Sequence, residues 1–189
     1  MPGGTVAGSE HEIKGVWLVT ARSWVLSRRG PGALQAIAEH LPSESRHAIL
    51  EPLPSEWYPE AVLQQALAGM RAELAGGSDA QFLRLMRECT ELGVSKFFRV
   101  LLRLSTPRFV LAKVPSMWSH IRRGPGHVSV EASAAGTTLH YRQFPYFADA
   151  NYRLLTQGSL EGLMHLSTRQ RPRVHLAAHG DDWLDVHVD

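Results

Sequence analysis

Cysteine is nearly absent from this sequence, and that scarcity excludes several classes of structure. Cys89 is the only thiol among 189 residues, which rules out an internal disulfide framework and any zinc site built from several cysteines. The first twelve residues, MPGGTVAGSEHE, lack the apolar core of a signal peptide, and no later stretch resembles a membrane span. We therefore expect a protein of a reducing compartment, the cytoplasm.

Lysine is the second scarce residue. The chain has three lysines beside seventeen arginines, and its net charge is only +2. The arginines are scattered, for example as the pairs at 28–29 and 122–123, rather than gathered in one patch. Proteins that bind nucleic acid normally concentrate their basic residues in a patch or stripe. The sequence therefore predicts no nucleic-acid partner.

The sequence also lacks the short motifs that mark common active sites. It has no Walker lysine, no glycine-rich dinucleotide fingerprint after a strand and no His-Glu-x-x-His run. Gly158 and Ser159 are adjacent, so this segment does not have the spacing of a serine nucleophile elbow. Cys89 falls on the apolar stripe of a predicted helix, a position typical of a small buried hydrophobe. We predict a protein that is not an enzyme and has no cofactor; an enzyme that uses Cys89 or the histidines is the least supported alternative.

What the sequence does contain is a change of hydrophobic period along a chain long enough for one core. Residues 1–12 are glycine-rich and aperiodic, which predicts a disordered lead-in, and the 44% hydrophobic content predicts a single domain over residues 13–189. Helical spacing then prevails, with one helix beginning near Pro59 and the longest running from Ser78 to Ser105.

Two later segments alternate with period two, residues 127–144 and 174–188, and a helical segment separates them. An order of helices, hairpin, helix and hairpin is typical of mixed folds with an antiparallel sheet. The sequence therefore predicts an α+β domain in which a helical layer packs on an antiparallel sheet made of two hairpins.

The last fifteen residues, HLAAHGDDWLDVHVD, hold three histidines and four aspartates and raise the question of a metal site. Because side chains alternate along a strand, every second residue from 184 to 188 is expected on the buried face. A turn at residues 180–182 places His175 nearly opposite His187. Ten histidines spread over the chain produce such neighbours by chance, and no metal-ligand spacing supports them. We predict a terminal hairpin without metal, with the adjacent aspartates in its turn.

The large aromatic side chains are the most informative candidates for a binding site. Aromatic rings at helical spacing usually pack a core, and a filled core stays open as one alternative. The second alternative is a ligand pocket between the helical layer and the sheet. Its candidate lining residues are Trp57, Tyr58, Phe97 and Trp118.

The segment QFPYFADANY suggests a third use for the aromatic rings. If the chain around Pro145 is extended, Phe144, Tyr146 and Phe147 cannot all point inward. At least one ring is then expected at the surface, where it is available to a partner protein.

Four segments, in this order and at these separations, carry a resemblance: SEWYPEAV, LLRLSTPRFVLAKVPSMWSHIRRGPG, QGSLEGLMHLS and HGDDWLDVHV. They resemble a family of paralogous myxobacterial proteins that is distantly similar to the vinyl-reductase-like and heme-NO-binding-associated ligand sensors. The resemblance covers residues 13–188. It implies a helical layer against an antiparallel sheet, used for sensing or for assembling signalling complexes.

Two departures from these relatives bear on cofactors. Many relatives have cysteines flanking the Gly-Asp turn of the last hairpin, where this chain has Leu176 and Leu184, and leucine binds no metal. The tyrosine-serine-arginine motif that holds heme propionates in heme-NO-binding domains is also missing, because His140, Tyr141 and Arg142 do not have its spacing. The resemblance therefore implies a sensor without the heme motif.

These observations predict a non-enzymatic signalling or regulatory module that senses a small apolar ligand or binds a protein. The rival prediction is a structural assembly subunit with a filled core, which forms a homodimer or docks a partner through its helical face and residues 144–147. A ligand sensor is stabilised by one class of small molecule, whereas an assembly subunit responds to a protein or to its own concentration.

Overall fold

A computed structural model describes residues 11–94, 102, 105–167 and 172–189 of the protein. The α-helices of this part are α1 (Gly15–Arg29), α2 (Pro31–Glu39), α3 (His47–Leu50), α4 (Glu60–Ala75), α5 (Asp79–Gly93), α6 (Pro107–Leu111), α7 (Val114–Ile121) and α8 (Ala150–Ser167). The strands are β1 (Glu12–Lys14), β2 (Trp57–Pro59), β3 (Arg122–Arg123), β4 (His127–Ser133), β5 (Gly136–Arg142), β6 (Val174–His179) and β7 (Leu184–Val188). Within these ranges no helix combines the length and hydropathy that crossing a membrane requires.

The two predicted hairpins form one four-stranded antiparallel sheet in the order β4-β5-β7-β6. Strands β5 and β7 pair at its centre, with Leu139 opposite Val186. Period-two alternation buries Leu184, Val186 and Val188, which are at most 4% exposed. Helices α7 and α8 contact this sheet, and one hydrophobic cluster runs through the helices and the strands. The predicted α+β architecture is confirmed.

A second, three-stranded sheet ties the N-terminal end to the helical layer, in the order β2-β1-β3. Ile13 is fully buried at its centre, opposite Tyr58 in β2 and Arg122 in β3. The folded part begins before the boundary expected at residue 12, because Glu12 is already paired in β1 and His11 is buried. The rest of the expected lead-in, residues 1–10, lies outside the described residues.

The long helix predicted from Ser78 to Ser105 is wrong at its C-terminal end. Ser78 does cap α5, its hydroxyl accepting a hydrogen bond from the Gln81 N–H at 3.4 Å. The helix ends at Gly93, however, and Val94 is extended, with φ −75° and ψ 117°. Glycine weakens a helix, and a β-branched valine favours extended backbone. The sequence Gly93-Val94 therefore explains why the helix ends here. Most of residues 95–104 lies outside the described residues, and α8, with 18 residues, is longer than α5.

Helices α5 and α8 pack closely because glycines stand at their contact. A Cβ at Gly158 would lie 2.8 Å from the Met86 Cβ and 2.9 Å from the Leu83 carbonyl oxygen, and one at Gly162 would lie 2.9 Å from the Arg87 carbonyl oxygen. These distances are shorter than the ~3.5–4.0 Å of relaxed carbon contacts. The glycines of GSLEG therefore have a packing role.

We expect Gly158→Ala to lower the free energy of unfolding by about 1–3 kcal/mol, because the added methyl meets the backbone of α5, which cannot rotate away. Urea unfolding followed by circular dichroism measures this change. Gly32→Ala, in a helix where a Cβ meets nothing within 4 Å, is the matched control and should be neutral or slightly stabilising. Equal losses in the two variants would contradict the close-packing explanation.

Candidate functional site

A cavity of about 270 Å³ lies where α1, α5, α7 and α8 meet strand β5. Its apolar walls include Trp17, Val94, Val114, Trp118, Leu160 and Leu163. Val16 and Met117 also line it and are 42% and 41% exposed, so they stand at its mouth. The cavity is an apolar space that opens to solvent.

Trp118 anchors one wall of the cavity through contacts with three other rings. Its ring centroid lies 5.1 Å from that of Phe144 and 5.4 Å from that of Tyr141, both edge to face, and 6.4 Å from that of Phe147. Its indole N–H donates a hydrogen bond to the Gly126 carbonyl at 3.2 Å. Because both the apolar and the polar side of the indole are held, this wall is formed before any ligand arrives.

Hydroxyl side chains supply most of the polar atoms of the lining. Thr20 and Thr156 donate to backbone carbonyls one turn earlier in their own helices, at 2.9 Å each. Thr90 makes the same kind of bond at 3.1 Å, and its hydroxyl lies 3.2 Å from that of Ser159. Because the threonine protons are already used by the backbone, these residues offer a ligand lone pairs rather than protons.

Arg122 borders the cavity, but its charge is already balanced. Its Nε donates to Glu60 Oε1 at 2.8 Å, and the Glu60 side chain is fully buried. The Tyr152 hydroxyl donates to Glu60 Oε2 at 2.6 Å. Burial, followed by the negative charge of Glu60, raises the pKa of Tyr152 well above its ordinary value, so the phenol keeps its proton. A ligand in the cavity therefore meets a wall without net charge.

Of the four residues predicted to line a pocket, Trp118 lines this cavity. Trp57 lies apart in the small sheet, where the Arg123 guanidinium stands 3.9 Å from its ring centroid. The buried Tyr58 hydroxyl donates to Glu56 at 3.1 Å, and neither Trp57 nor Tyr58 lines the cavity. Phe97 lies outside the described residues. The predicted set of four is thus not brought together as a set.

Phe144 and Phe147, predicted as part of a partner surface, lie in the core at 1% and 0% exposure. Tyr146 is half-buried. The chain is not extended at Pro145, as that prediction assumed, because residues 145–148 form a 3-10 turn. The turn carries both phenylalanine rings inward against Trp118, which corrects the prediction of a surface position for them.

Sequence reasoning does not single out Glu60, Arg122 or Trp17 as site residues. A glutamate in the first turn of a helix ordinarily complements the helix dipole, and its partner Arg122 is 62 residues away. Trp17 shares the apolar stripe of α1 with core residues. Aromatic character is the one signal that points to Trp17, and it does not separate a lining residue from core packing.

The histidines of the last hairpin are neighbours, as predicted. His175 lies opposite His187, with ring centroids 5.2 Å apart. One ring nitrogen of His187 lies 2.9 Å from the Thr138 hydroxyl and the other 3.3 Å from the Ala135 carbonyl. A metal ion would have to displace one of these partners. In the part of the chain that the structure describes, no three histidine, cysteine, aspartate or glutamate side chains are grouped as metal ligands.

Asp185 organises the outer face of the large sheet. Its Oδ1 lies 2.6 Å from Arg142 Nη1 and 2.9 Å from His140 Nδ1. Burial alone would raise the pKa of Asp185, but the hydrogen bonds and charges of Arg142 and His140 outweigh it, and the pKa is lowered from its ordinary value. Asp185 is therefore ionised at neutral pH and links β5 to β7.

This lowered pKa predicts a pH dependence of stability. The unfolded chain binds a proton at Asp185 at about pH 3.9, above the folded pKa, so the stabilisation is complete above that pH and is lost as the pH falls below it. Asp185→Asn should be less stable than wild type in urea unfolding at pH 6, and the difference should shrink between about pH 4 and pH 3. Asp181→Asn, in the exposed turn, should keep the wild-type profile, and a constant difference for Asp185→Asn would contradict the assignment.

The donor atoms of the cavity do not fit heme. Heme iron is held by histidine, by a cysteine thiolate, by methionine together with histidine, or by tyrosine. Among the residues that the structure describes, the cavity lining includes Cys89, Met117 and Tyr141 but no histidine. Burial raises the pKa of the Cys89 thiol and of the Tyr141 phenol, so both keep their protons at neutral pH. Residues 95–104 contain no histidine, cysteine, methionine or tyrosine in their sequence.

Comparison with solved structures identifies the fold. An H-NOX protein from S. oneidensis, in the Fe(II)NO ligation state, matches with a TM-score of 0.69 and 13% identity over 94% of this chain and 98% of that chain. An Fe(II) unliganded H-NOX protein from K. algicida matches with a TM-score of 0.66 and 14% identity over 94% and 96%. No protein-family model and no curated protein matches the chain, so the resemblance to a myxobacterial family stays a prediction. The protein has the α+β fold of these H-NOX proteins.

Proposed function

We propose that this protein is a non-enzymatic sensor module that binds a small, uncharged and mainly apolar molecule, rather than heme, in the cavity between Trp17 and Trp118. The observation that carries the proposal is the cavity of about 270 Å³ with its aromatic and aliphatic walls. An apolar cavity of about 150 Å³ binds benzene or xenon, and drug-sized ligands occupy pockets of about 300–1,000 Å³. The expected ligand therefore has the size of one or two rings.

The charge balance of the lining supports an uncharged ligand. Arg122 is the positive side chain among the described lining residues, and Glu60 already neutralises it at 2.8 Å. A ligand carboxylate would have to compete with this buried partner, and an ammonium group would meet the arginine itself. An apolar molecule gains from the aromatic wall without either cost.

The comparisons support a ligand-binding role for this fold, since the S. oneidensis H-NOX protein was solved with its Fe(II) bound to NO. The protonated Cys89 and Tyr141 and the absence of histidine from the described lining support a ligand other than heme. Incubation with hemin followed by desalting and native mass spectrometry tests that part of the proposal. Retention of one heme per chain would contradict it.

Thermal unfolding with added indole, naphthalene or 1-hexanol tests the apolar ligand class. A ligand at about a hundred times its dissociation constant adds roughly 2.7 kcal/mol of stability, so a binding compound raises the melting temperature in a saturable way. Octanoate and octylamine, of similar size but charged, should stabilise the protein less. Stabilisation by none of the uncharged compounds, or equal stabilisation by the charged ones, would contradict the proposal.

Filling the cavity should compete with the ligand. Ser159 lines it, and Ser159→Leu adds apolar volume while the Thr90 hydroxyl keeps its bond to the Met86 carbonyl at 3.1 Å. We expect this variant to bind the best uncharged probe at least about tenfold more weakly, measured by quenching of tryptophan fluorescence, since overpacking by a few heavy atoms costs about 1–3 kcal/mol. Ser119→Leu, the same change at an exposed serine outside the lining, should leave binding unchanged. Equal binding by both variants would place the ligand elsewhere.

An assembly subunit is the second candidate, favoured by one observation. Val16 and Met117 are 42% and 41% exposed although they are apolar, and both stand at the cavity mouth. Exposed apolar side chains that cluster are typical of interfaces. Light scattering over a hundredfold range of concentration separates the two candidates, because a ligand sensor keeps one mass and a dimerising subunit does not.

A further inference from the structure

A second cleft, of about 510 Å³, lies where the C-terminal end of α1 meets α5 and the end of α8. Its lining includes the cationic residues Arg28, Arg29 and Arg87, with His165. Glu88 and Glu91 complete its charged side chains. None of these residues lines the apolar cavity, so the cleft is a separate feature.

Two buried nitrogen atoms single out this cleft. In the described residues, the buried side-chain polar atoms without a hydrogen-bond partner are Trp24 Nε1 and Arg87 Nε. Both residues line the cleft, and Trp24 is only 5% exposed. Buried polar groups without partners are rare in proteins, and each one requires an explanation. Here both orphaned atoms are N–H donors, and both belong to one site.

The carboxylates near Arg87 do not satisfy its Nε. Glu91 Oε1 lies 3.8 Å from this atom, and Glu161 Oε2 lies 4.0 Å from Arg87 Nη1, both too far for a hydrogen bond. Glu91 bonds to His165 Nδ1 instead, at 2.9 Å. Arg87 therefore forms ion pairs with Glu91 and Glu161, but its Nε–H has no hydrogen-bond acceptor among the described residues.

An ordinary structural role accounts for only part of the positive charge. Arg28 and Arg29 occupy the last turn of α1, where cations complement the negative end of a helix. That role requires neither a buried indole N–H nor the Nε of Arg87, which belongs to a different helix. The neighbouring recess shares Trp24, Arg29 and Glu88 and adds Arg84, which extends the arginine lining along α5.

We infer that this cleft binds a small molecule bearing an oxyanion, a phosphate or a carboxylate, whose oxygens accept hydrogen bonds from Trp24 Nε1 and Arg87. An ionised oxyanion is an acceptor without protons to place, and arginine binds it through two parallel N–H bonds. Indole donates one hydrogen bond and accepts none, so the Trp24 N–H fixes the direction from which an acceptor oxygen must approach. This inference goes beyond the proposed function and does not depend on it, because the two sites share no lining residue.

Calorimetric titration of the full chain with inorganic phosphate, pyrophosphate and citrate, at constant ionic strength set with sodium chloride, tests the inference. We expect saturable binding of one anion per chain. A preference for the phosphates identifies a phosphate ligand, and a preference for citrate identifies a carboxylate. Absence of saturable binding by all three anions overturns the inference.

Two variants locate the binding. Trp24→Phe keeps the ring and removes the N–H, and Arg87→Lys keeps the charge and removes Nε–H. Each should weaken anion binding at least about tenfold, because each deletes a hydrogen bond to a charged group. Arg108→Gln, at an exposed arginine on α6, is the matched control. Equal affinity in wild type, Trp24→Phe and Arg87→Lys means an adventitious ion only and overturns the inference.

Proton–nitrogen NMR of the five tryptophan indole N–H groups tests the inference in the wild-type chain. It needs no variant, so it still applies if a variant fails to fold. The anion should shift the Trp24 indole N–H resonance downfield and leave that of Trp118, which already bonds to Gly126, unchanged. Saturation without movement of the Trp24 signal overturns the inference.

Discussion

Replacing Glu60 by glutamine should lower the free energy of unfolding by about 3–5 kcal/mol, because removal of one partner leaves the other charge buried and uncompensated. The Glu60 side chain is 0% exposed and that of Arg122 is 9% exposed, with 2.8 Å between Oε1 and Nε. Tyr152 donates to the second carboxylate oxygen, Oε2, at 2.6 Å. The glutamine amide fills the same volume, so the loss reports the charge and the second acceptor rather than a cavity. Urea unfolding at pH 7 measures the change.

Glu73→Gln is the matched control for this prediction. Its carboxylate pairs with His40 at 2.9 Å, but the two side chains are 38% and 36% exposed. Exposed ion pairs contribute about 0–1 kcal/mol, so this variant should stay near wild type. Tyr152→Phe should be intermediate, because it removes one donor and leaves the ion pair intact. A loss for Glu60→Gln no larger than that for Glu73→Gln would mean that water reaches the buried pair.

The large sheet was predictable because its signal is local. Period-two alternation from Leu184 to Val188 and a turn-forming Gly180 lie within a few residues of each other, and the structure buries the expected side of β7. The resemblance pointed to the same layered fold, which the H-NOX structures share. The small sheet was not predictable in this way, because β1 finds its partners at Tyr58 and Arg122, far along the chain.

The candidate site was predictable only in part, because its residues meet through long-range contacts. Trp118 was found because a tryptophan on an amphipathic helix is conspicuous. Glu60 was missed because nothing near it in the sequence signals a buried partner, and that partner is 62 residues away. At least one ring of the segment 144–147 was expected at the surface because an extended backbone was assumed at Pro145, where the structure has a 3-10 turn that buries Phe144 and Phe147.

Phe144→Ala is the variant that separates a core role from a surface role for this segment. We expect a loss of about 3–5 kcal/mol, the usual cost of truncating a buried phenylalanine. The ring is 1% exposed and its centroid lies 5.1 Å from those of both Trp118 and Phe147. Its backbone N–H donates to the Asp182 carbonyl at 2.9 Å, and alanine keeps this bond, so the loss reports the ring and its contacts in the aromatic cluster. Thermal and urea unfolding measure the loss.

Phe109→Ala is the control, because the same truncation there removes a ring that is 55% exposed and should change stability by at most about 0.5 kcal/mol. A partner surface at Phe144 would give the reverse pattern: Phe144→Ala would keep wild-type stability and would lower the mass observed by light scattering. The structure leads us to expect a loss of stability with no change in mass. Because Phe144 supports Trp118, the variant should also weaken binding of the uncharged probe, which couples the aromatic cluster to the wall of the cavity.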